Sequence, residues 1–147
     1  MDLRTAEYHW MLNLLRPEDL PEIATEALAN DVESESLLKL ACSYPTDYPE
    51  DLIRLFKKVL SEVGLGTMSE VDAVRSYARE ISTAILDATL SPLEGARRIW
   101  HATRRAKIEN FHEMDEFIYS ASEMEDRPED KDFFENAIRE LAKGWLW

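Results

Sequence analysis

The residues of this chain best suited to chemistry are carboxylates. Glu113 and Glu116, then Glu129 and Asp132, make an ExxE and an ExxD pair with twelve residues between them. Side chains three apart share a helix face, so two such helices set face to face would offer four hard oxygen ligands. Mg²⁺ bridging to substrate phosphates is the chemistry that donor set suits. Composition weakens the case, because 30 of the 147 residues are acidic and such spacings then arise readily by chance. Glu129 and Asp132 also fall in the first turn of the last helix, where the macrodipole alone favours acids. No lysine or arginine set stands beside these acids to take phosphate oxygens, apart from the segment around Arg97 to Arg105. The Mg²⁺ reading is therefore the alternative, and the first reading assigns neither a cofactor nor a catalytic residue.

Other constellations are thinner. Glu109 and His112 form one ExxH unit, which di-iron bundles use twice, and His9 and His101 stand at no metal spacing from it. The serines fall mainly at helix starts, and no Gly-x-Ser-x-Gly elbow occurs. Cys42 is the single cysteine; in the apolar run LLKLACSY it is expected to be a small core residue, without a disulfide or a thiolate zinc site. Four glycines are too few for a phosphate-binding loop.

Charge narrows the partners. The formal net charge is −13, which repels nucleic acid and anionic membrane surfaces and attracts basic proteins. From Glu109 to Glu135 eleven acids face two basic residues, and Glu18, Glu22 and Glu26 make an acidic i, i+4, i+8 stripe. The first functional reading is thus a non-enzymatic module for a basic partner, in the manner of immunity proteins or antidotes that neutralise cationic toxins. Its contact residues are expected among Glu113, Glu116, Glu123, Asp126, Glu18, Glu22, Glu26, Tyr44 and Tyr48, with Trp147 as a further aromatic anchor. Tyr44 and Tyr48 also admit a plainer role, packing as a Tyr-Pro turn on their own helix. A structural or homo-oligomerising module is another alternative, with Trp145 and Trp147 docking on a second copy.

These residues must be positioned by helices. With 45% hydrophobic and 10% aromatic residues the chain has the composition of a folded globule, and four glycines and six prolines suit long helices with short loops better than hairpins. The expectation is an all-α, single-domain bundle of about eight helices over 1–147, with two lobes, 1–64 and 67–147, admitted at the Gly64–Gly66 pair. Apolar periodicity of 3.6 places helices from Arg4 to Leu15, Glu18 to Ala29 with Asn30 as a left-handed cap, and Ser34 through Leu37, Leu38, Leu40 and Ala41. A fourth starts at Asp47 and ends at Gly64, a fifth runs from Ser69 to Ala88, and two more span Phe111 to Met124 and Asp126 to Trp145. No run reaches transmembrane length and the first residues do not read as a signal peptide, so a reducing cytoplasm is the expected location.

The remaining helix, Ser91 to Ala106, is the only strongly basic stretch. At 100° per residue Arg97, Arg98, His101, Arg104 and Arg105 fall on one arc, and Leu93, Ala96, Ile99, Trp100, Thr103 and Ala106 on the other. Ser91, Pro92 and Glu94 hold the N-cap, N1 and N3 positions of a capping box. The arginines are expected to pair with acids of neighbouring helices.

Leu20 to Leu28 (LPEIATEAL) with Ser34 to Ala41 (SESLLKLA) resembles the opening helix pair of small uncharacterised acidic bacterial proteins. Ser91 to Trp100 (SPLEGARRIW), Phe117-Ile118-Tyr119 and Glu125 to Asp130 (EDRPED) look like a recurrent pattern in the same group. That resemblance implies an all-helical fold and carries no activity. The ExxE…ExxD arrangement is similar to the magnesium-binding pattern of all-helical nucleotide pyrophosphohydrolases of the MazG type. This second likeness implies hydrolysis with Glu113, Glu116, Glu129 and Asp132 around Mg²⁺.

Overall fold

The computed structural model describes residues 1–146. Among them the chain is all-α, with eight α-helices, two short 3-10 turns and no strand. It divides into two compact units, Met1–Ser69 and Glu70–Trp147. No helix among the described residues is long and apolar enough to cross a membrane. Trp147, and with it its part in the anchoring and self-association expected of the two last tryptophans, lies outside the described residues, whereas Trp145 is half-buried at the end of the last helix.

The first unit holds α1 (Leu3–Met11), α2 (Leu20–Ala29), α3 (Glu35–Ala41) and α4 (Pro49–Glu62). α2 packs on α3 and α3 on α4, while α1 leans on α2. Leu20, Ala24, Leu37, Leu52, Phe56 and Val59 form the centre of the core. Helix starts follow capping chemistry: Asp2 accepts from the Thr5 amide at 2.8 Å, and Ser34 accepts from the Leu37 amide at 3.2 Å. Glu62, at the end of α4, takes the Ser34 hydroxyl at 2.8 Å, the Ser36 amide at 3.1 Å and the Ser36 hydroxyl, and so ties the start of α3 to α4.

Several boundaries differ from expectation, each for a local reason. α1 stops at Met11 rather than Leu15, because Asn13 turns left-handed (φ 58) and the Asn13 and Leu14 amides bond back to the Trp10 and His9 carbonyls. Glu18 lies in a 3-10 turn, Pro17–Asp19, held by Asp19 accepting from the Arg16 amide at 2.8 Å, so α2 begins only at Leu20. Asp31, not Asn30, takes the left-handed position after α2 (φ 64). Asp47 does not cap α4; it closes its own loop by accepting from the Tyr44 amide at 2.9 Å, and Tyr48 precedes Pro49 at the helix start. Leu38 is exposed, and so is Cys42, which sits at the end of α3 instead of in the core as expected. Gly64 (φ 81) closes α4 as expected, with its amide on Ser61 and that of Leu65 on Leu60.

The second unit holds α5 (Glu70–Leu86), α6 (Pro92–Ala106), α7 (Asp115–Asp126) and α8 (Lys131–Trp145), with a 3-10 turn at Pro128–Asp130. α5 packs against α6 and α8, α6 against α7, and α7 against α8. α6 is two-faced: Pro92, Gly95, Ala96, Ile99 and Ala102 are buried, while Arg98, His101, Arg104 and Arg105 are exposed. Only half of its capping box forms through the serine, which accepts from the Glu94 amide at 3.2 Å; the Glu94 carboxylate reaches forward to Arg98 Nε, also at 3.2 Å. Gly95 lets α6 lie close on α5, since a Cβ there would stand 2.5 Å from Ile85 Cδ1. Lys107 (φ 50) ends α6, and α7 starts at Asp115 rather than Phe111, after a connection in which Asn110 is also left-handed (φ 55).

Candidate functional site

The acidic residues singled out by spacing meet different fates. Glu113 lies in the turn before α7, and its carboxylate grips the Arg75 guanidinium of α5 through two hydrogen bonds, one of them Nε to Oε2 at 2.9 Å. That grip holds the Glu113 carboxyl below its ordinary range and pushes Arg75 up. Glu113 and Glu116 therefore do not share a helical turn, and Glu129 sits in the 3-10 turn ahead of α8, apart from Asp132 on the helix itself. Among the described residues no three His, Cys, Asp or Glu side chains converge in a way that could hold a metal ion. A helix end thus falls inside each pair, so neither pair lies on one continuous α-helical face as its spacing implied. His112 places Nδ1 3.0 Å from Asp115 Oδ2.

α7 sorts its charges by face. Glu125 points to α6, where it accepts from Arg97 Nε at 2.8 Å, the interhelical pair expected of the basic stripe. Asp115, Glu116, Glu123 and Asp126 lie within about 60° of Tyr119 around the helix, so that face joins an aromatic ring to four carboxylates. Glu116 and Asp126 are exposed there. Glu123 accepts from Arg127 Nη1 at 3.2 Å, and Asp130 accepts from Arg127 Nη2 at 2.7 Å. These two carboxylates, Asp130 first, raise the Arg127 pKa further, and they fix its guanidinium 5.6 Å above the Phe134 ring.

Phe134 is the centre of the surface. It is buried between α7 and α8, with the Tyr119 ring 6.3 Å away and the Phe133 ring 5.1 Å away, both edge-on. Its two neighbours are turned outward: Tyr119 is 59% exposed and Phe133 69%. Spacing rules overlook Phe133, because they register which residues of a helix face in. The signal was nonetheless present, since adjacent residues diverge by 100° and a Phe-Phe pair cannot bury both rings against one neighbour. Glu116, Glu123 and Asp126 thus share one face of α7 with Tyr119, Phe133 meets Tyr119's neighbour Phe134 from α8, and Glu113 is drawn off to Arg75.

The other expected contacts belong to the first unit. Glu18 pairs with Arg16 at 3.1 Å, and Glu26 pairs with the amino terminus at 2.6 Å. Glu22 and Glu26 share the outer face of α2, which Glu18 does not join. Tyr44 and Tyr48 are 70% and 77% exposed and do not pack on their own helix. Compared with models of known protein families, with curated proteins and with solved structures, the chain matches none.

Proposed function

We propose that the protein is a non-enzymatic binding module that takes a basic segment of a partner protein on the α7–α8 face. The observation that carries this reading is the two exposed rings of Tyr119 and Phe133, each edge-on to buried Phe134, with the exposed carboxylates of Glu116 and Asp126 on the Tyr119 face of α7. Burying such a ring contributes about 1.5–3 kcal/mol, and aromatic anchors of this kind dominate interface energetics. The carboxylates supply sign: with a net charge of −13 they speed encounter with a cationic partner and repel acidic ones. Arg127, already held by Glu123 and Asp130, covers Phe134 and leaves the rim negative.

Selection from a displayed library of lysine- and arginine-rich helical peptides tests the reading, with anisotropy of the selected peptides at low and high salt. Binding is expected to weaken steeply with salt. The double variant Tyr119→Ser/Phe133→Ser should dissociate at least about tenfold faster at unchanged helix content, and Glu116→Gln/Asp126→Asn should mainly slow association. Peptides that bind the double serine variant as well as the parent, or equally at both salt concentrations, would sink it.

A further inference from the structure

A second site of different chemistry lies in the first unit. Glu7 of α1 is only 3% exposed, yet it lines a cavity of about 440 Å³ together with Trp10, Met11, Leu60, Leu65 and Met68. Its Oε2 accepts a hydrogen bond from the Gly66 amide, 59 residues away in sequence. Gly66 is left-handed (φ 97) in the turn after α4, which aims that amide back at α1. Among the described residues Oε1 accepts no hydrogen bond. Lys57 lines the same cavity but forms no ion pair with Glu7 within 4.0 Å.

A carboxylate largely withdrawn from bulk water, with one oxygen free of protein donors, gains from a cation placed on it, and a pocket that sets a few polar groups among apolar ones is a default binding site. We propose that this cavity binds a small organic ammonium ion with an apolar body, its charged end on Glu7 Oε1. The wall around Glu7 suits that class: the Trp10 indole attracts a cation, and the Met11 and Met68 thioethers adapt to an apolar frame; Lys57, Ser61 and Thr67 line the rest. Glu7 repels an anion from its end of the cavity, and a neutral apolar molecule leaves the carboxylate without a cation. The cavity is of the size that small molecules occupy. None of these residues belongs to the α7–α8 face, so the two readings stand or fall separately.

The test is titration of the ¹⁵N-labelled protein with phenethylammonium chloride, followed through the Gly66 amide and the Trp10 indole resonances, with 2-phenylethanol as the neutral counterpart. Saturable shifts at both reporters are expected from the ammonium and not from the alcohol. Affinity should fall about tenfold or more in Glu7→Gln, the loss of one charge-assisted hydrogen bond. Should Glu7→Gln fail to fold, Met68→Trp, which fills the cavity with Glu7 intact, is expected to abolish the shifts. Equal shifts from the alcohol, no shifts from the ammonium, or binding that survives Glu7→Gln or Met68→Trp would each overturn the proposal.

Discussion

Ala88 carries a methyl group where the backbone turns left-handed, at φ 59. It follows α5 in a Schellman arrangement, its amide on the Ile85 carbonyl and that of Thr89 on Ala84. Three other helices close the same way with Asn13, Asp31 and Gly64 at that position, residues that tolerate it through a short polar side chain or the absence of one. Alanine has neither advantage, and a left-handed L-residue costs roughly 1–2 kcal/mol. Ala88→Gly is therefore expected to stabilise the second unit by about 1 kcal/mol, after allowing for the greater freedom glycine has when unfolded. Urea denaturation of the pair measures it, and an unchanged or lower midpoint in the glycine variant would count against the strain. Glu62 matters at the same scale, because one exposed carboxylate replaces three separate solvent contacts of Ser34 and Ser36.

At the level of elements, α6 is a basic helix whose inner face is nearly all small. Gly95, Ala96 and Ala102 leave Ile99 as the one large fully helical apolar residue of that buried stripe, so the helix packs by close approach more than by bulk. At Gly95 an added Cβ would stand 2.5 Å and 2.8 Å from Ile85 Cδ1 and Cγ1, and 3.1 Å from Ile81 Cγ2. Gly95→Ala gains up to about 1 kcal/mol of helix propensity, but overpacking costs about 1–3 kcal/mol. Net destabilisation is expected. Ile85→Val removes Cδ1, the closest of these atoms, and should relieve part of the clash, so the double variant should be more stable than the sum of the two single losses predicts. Strict additivity in a double-mutant cycle would show that something other than this contact sets the approach.

Across the whole molecule, acid titration opposes two effects. Protonating carboxylates relieves the self-repulsion of a chain with net charge −13, which favours the fold as pH falls from neutrality. Glu62 and Glu113 act the other way. Hydrogen bonds from Ser36, then Ser34, depress the first, and Arg75 depresses the second, both from an ordinary 4.5. A carboxyl with a lowered folded pKa stabilises fully above its unfolded value, and that contribution disappears as pH drops through the folded one. Stability is thus expected to hold or rise from pH 7 to about 4.5 and to fall below it. Glu62→Gln should be less stable at pH 7 and lose less on acidification. An acid limb as steep in that variant as in the parent would remove Glu62 from the account.

The helical architecture was legible in the chain because it rests on local terms. The 3.6-residue periodicity placed every helix, Ser34 and Ser91 cap where their hydroxyls reach the next turn, and Gly64 ends α4 where its φ requires. Boundaries were less legible at Leu12–Leu15, Glu18 and Phe111, since the choice between a further helical turn and a left-handed or 3-10 exit is worth little locally and is settled by packing. Site geometry was decided by tertiary structure alone. Spacing could not tell that Glu113 would be taken by Arg75, that Cys42 would face outward, or that Phe133 and Tyr119 would flank Phe134 from two helices. Least visible was Glu7, whose burial depends on an amide 59 residues away. A helical pattern records which face of an element is apolar, and only the packed fold determines what meets that face.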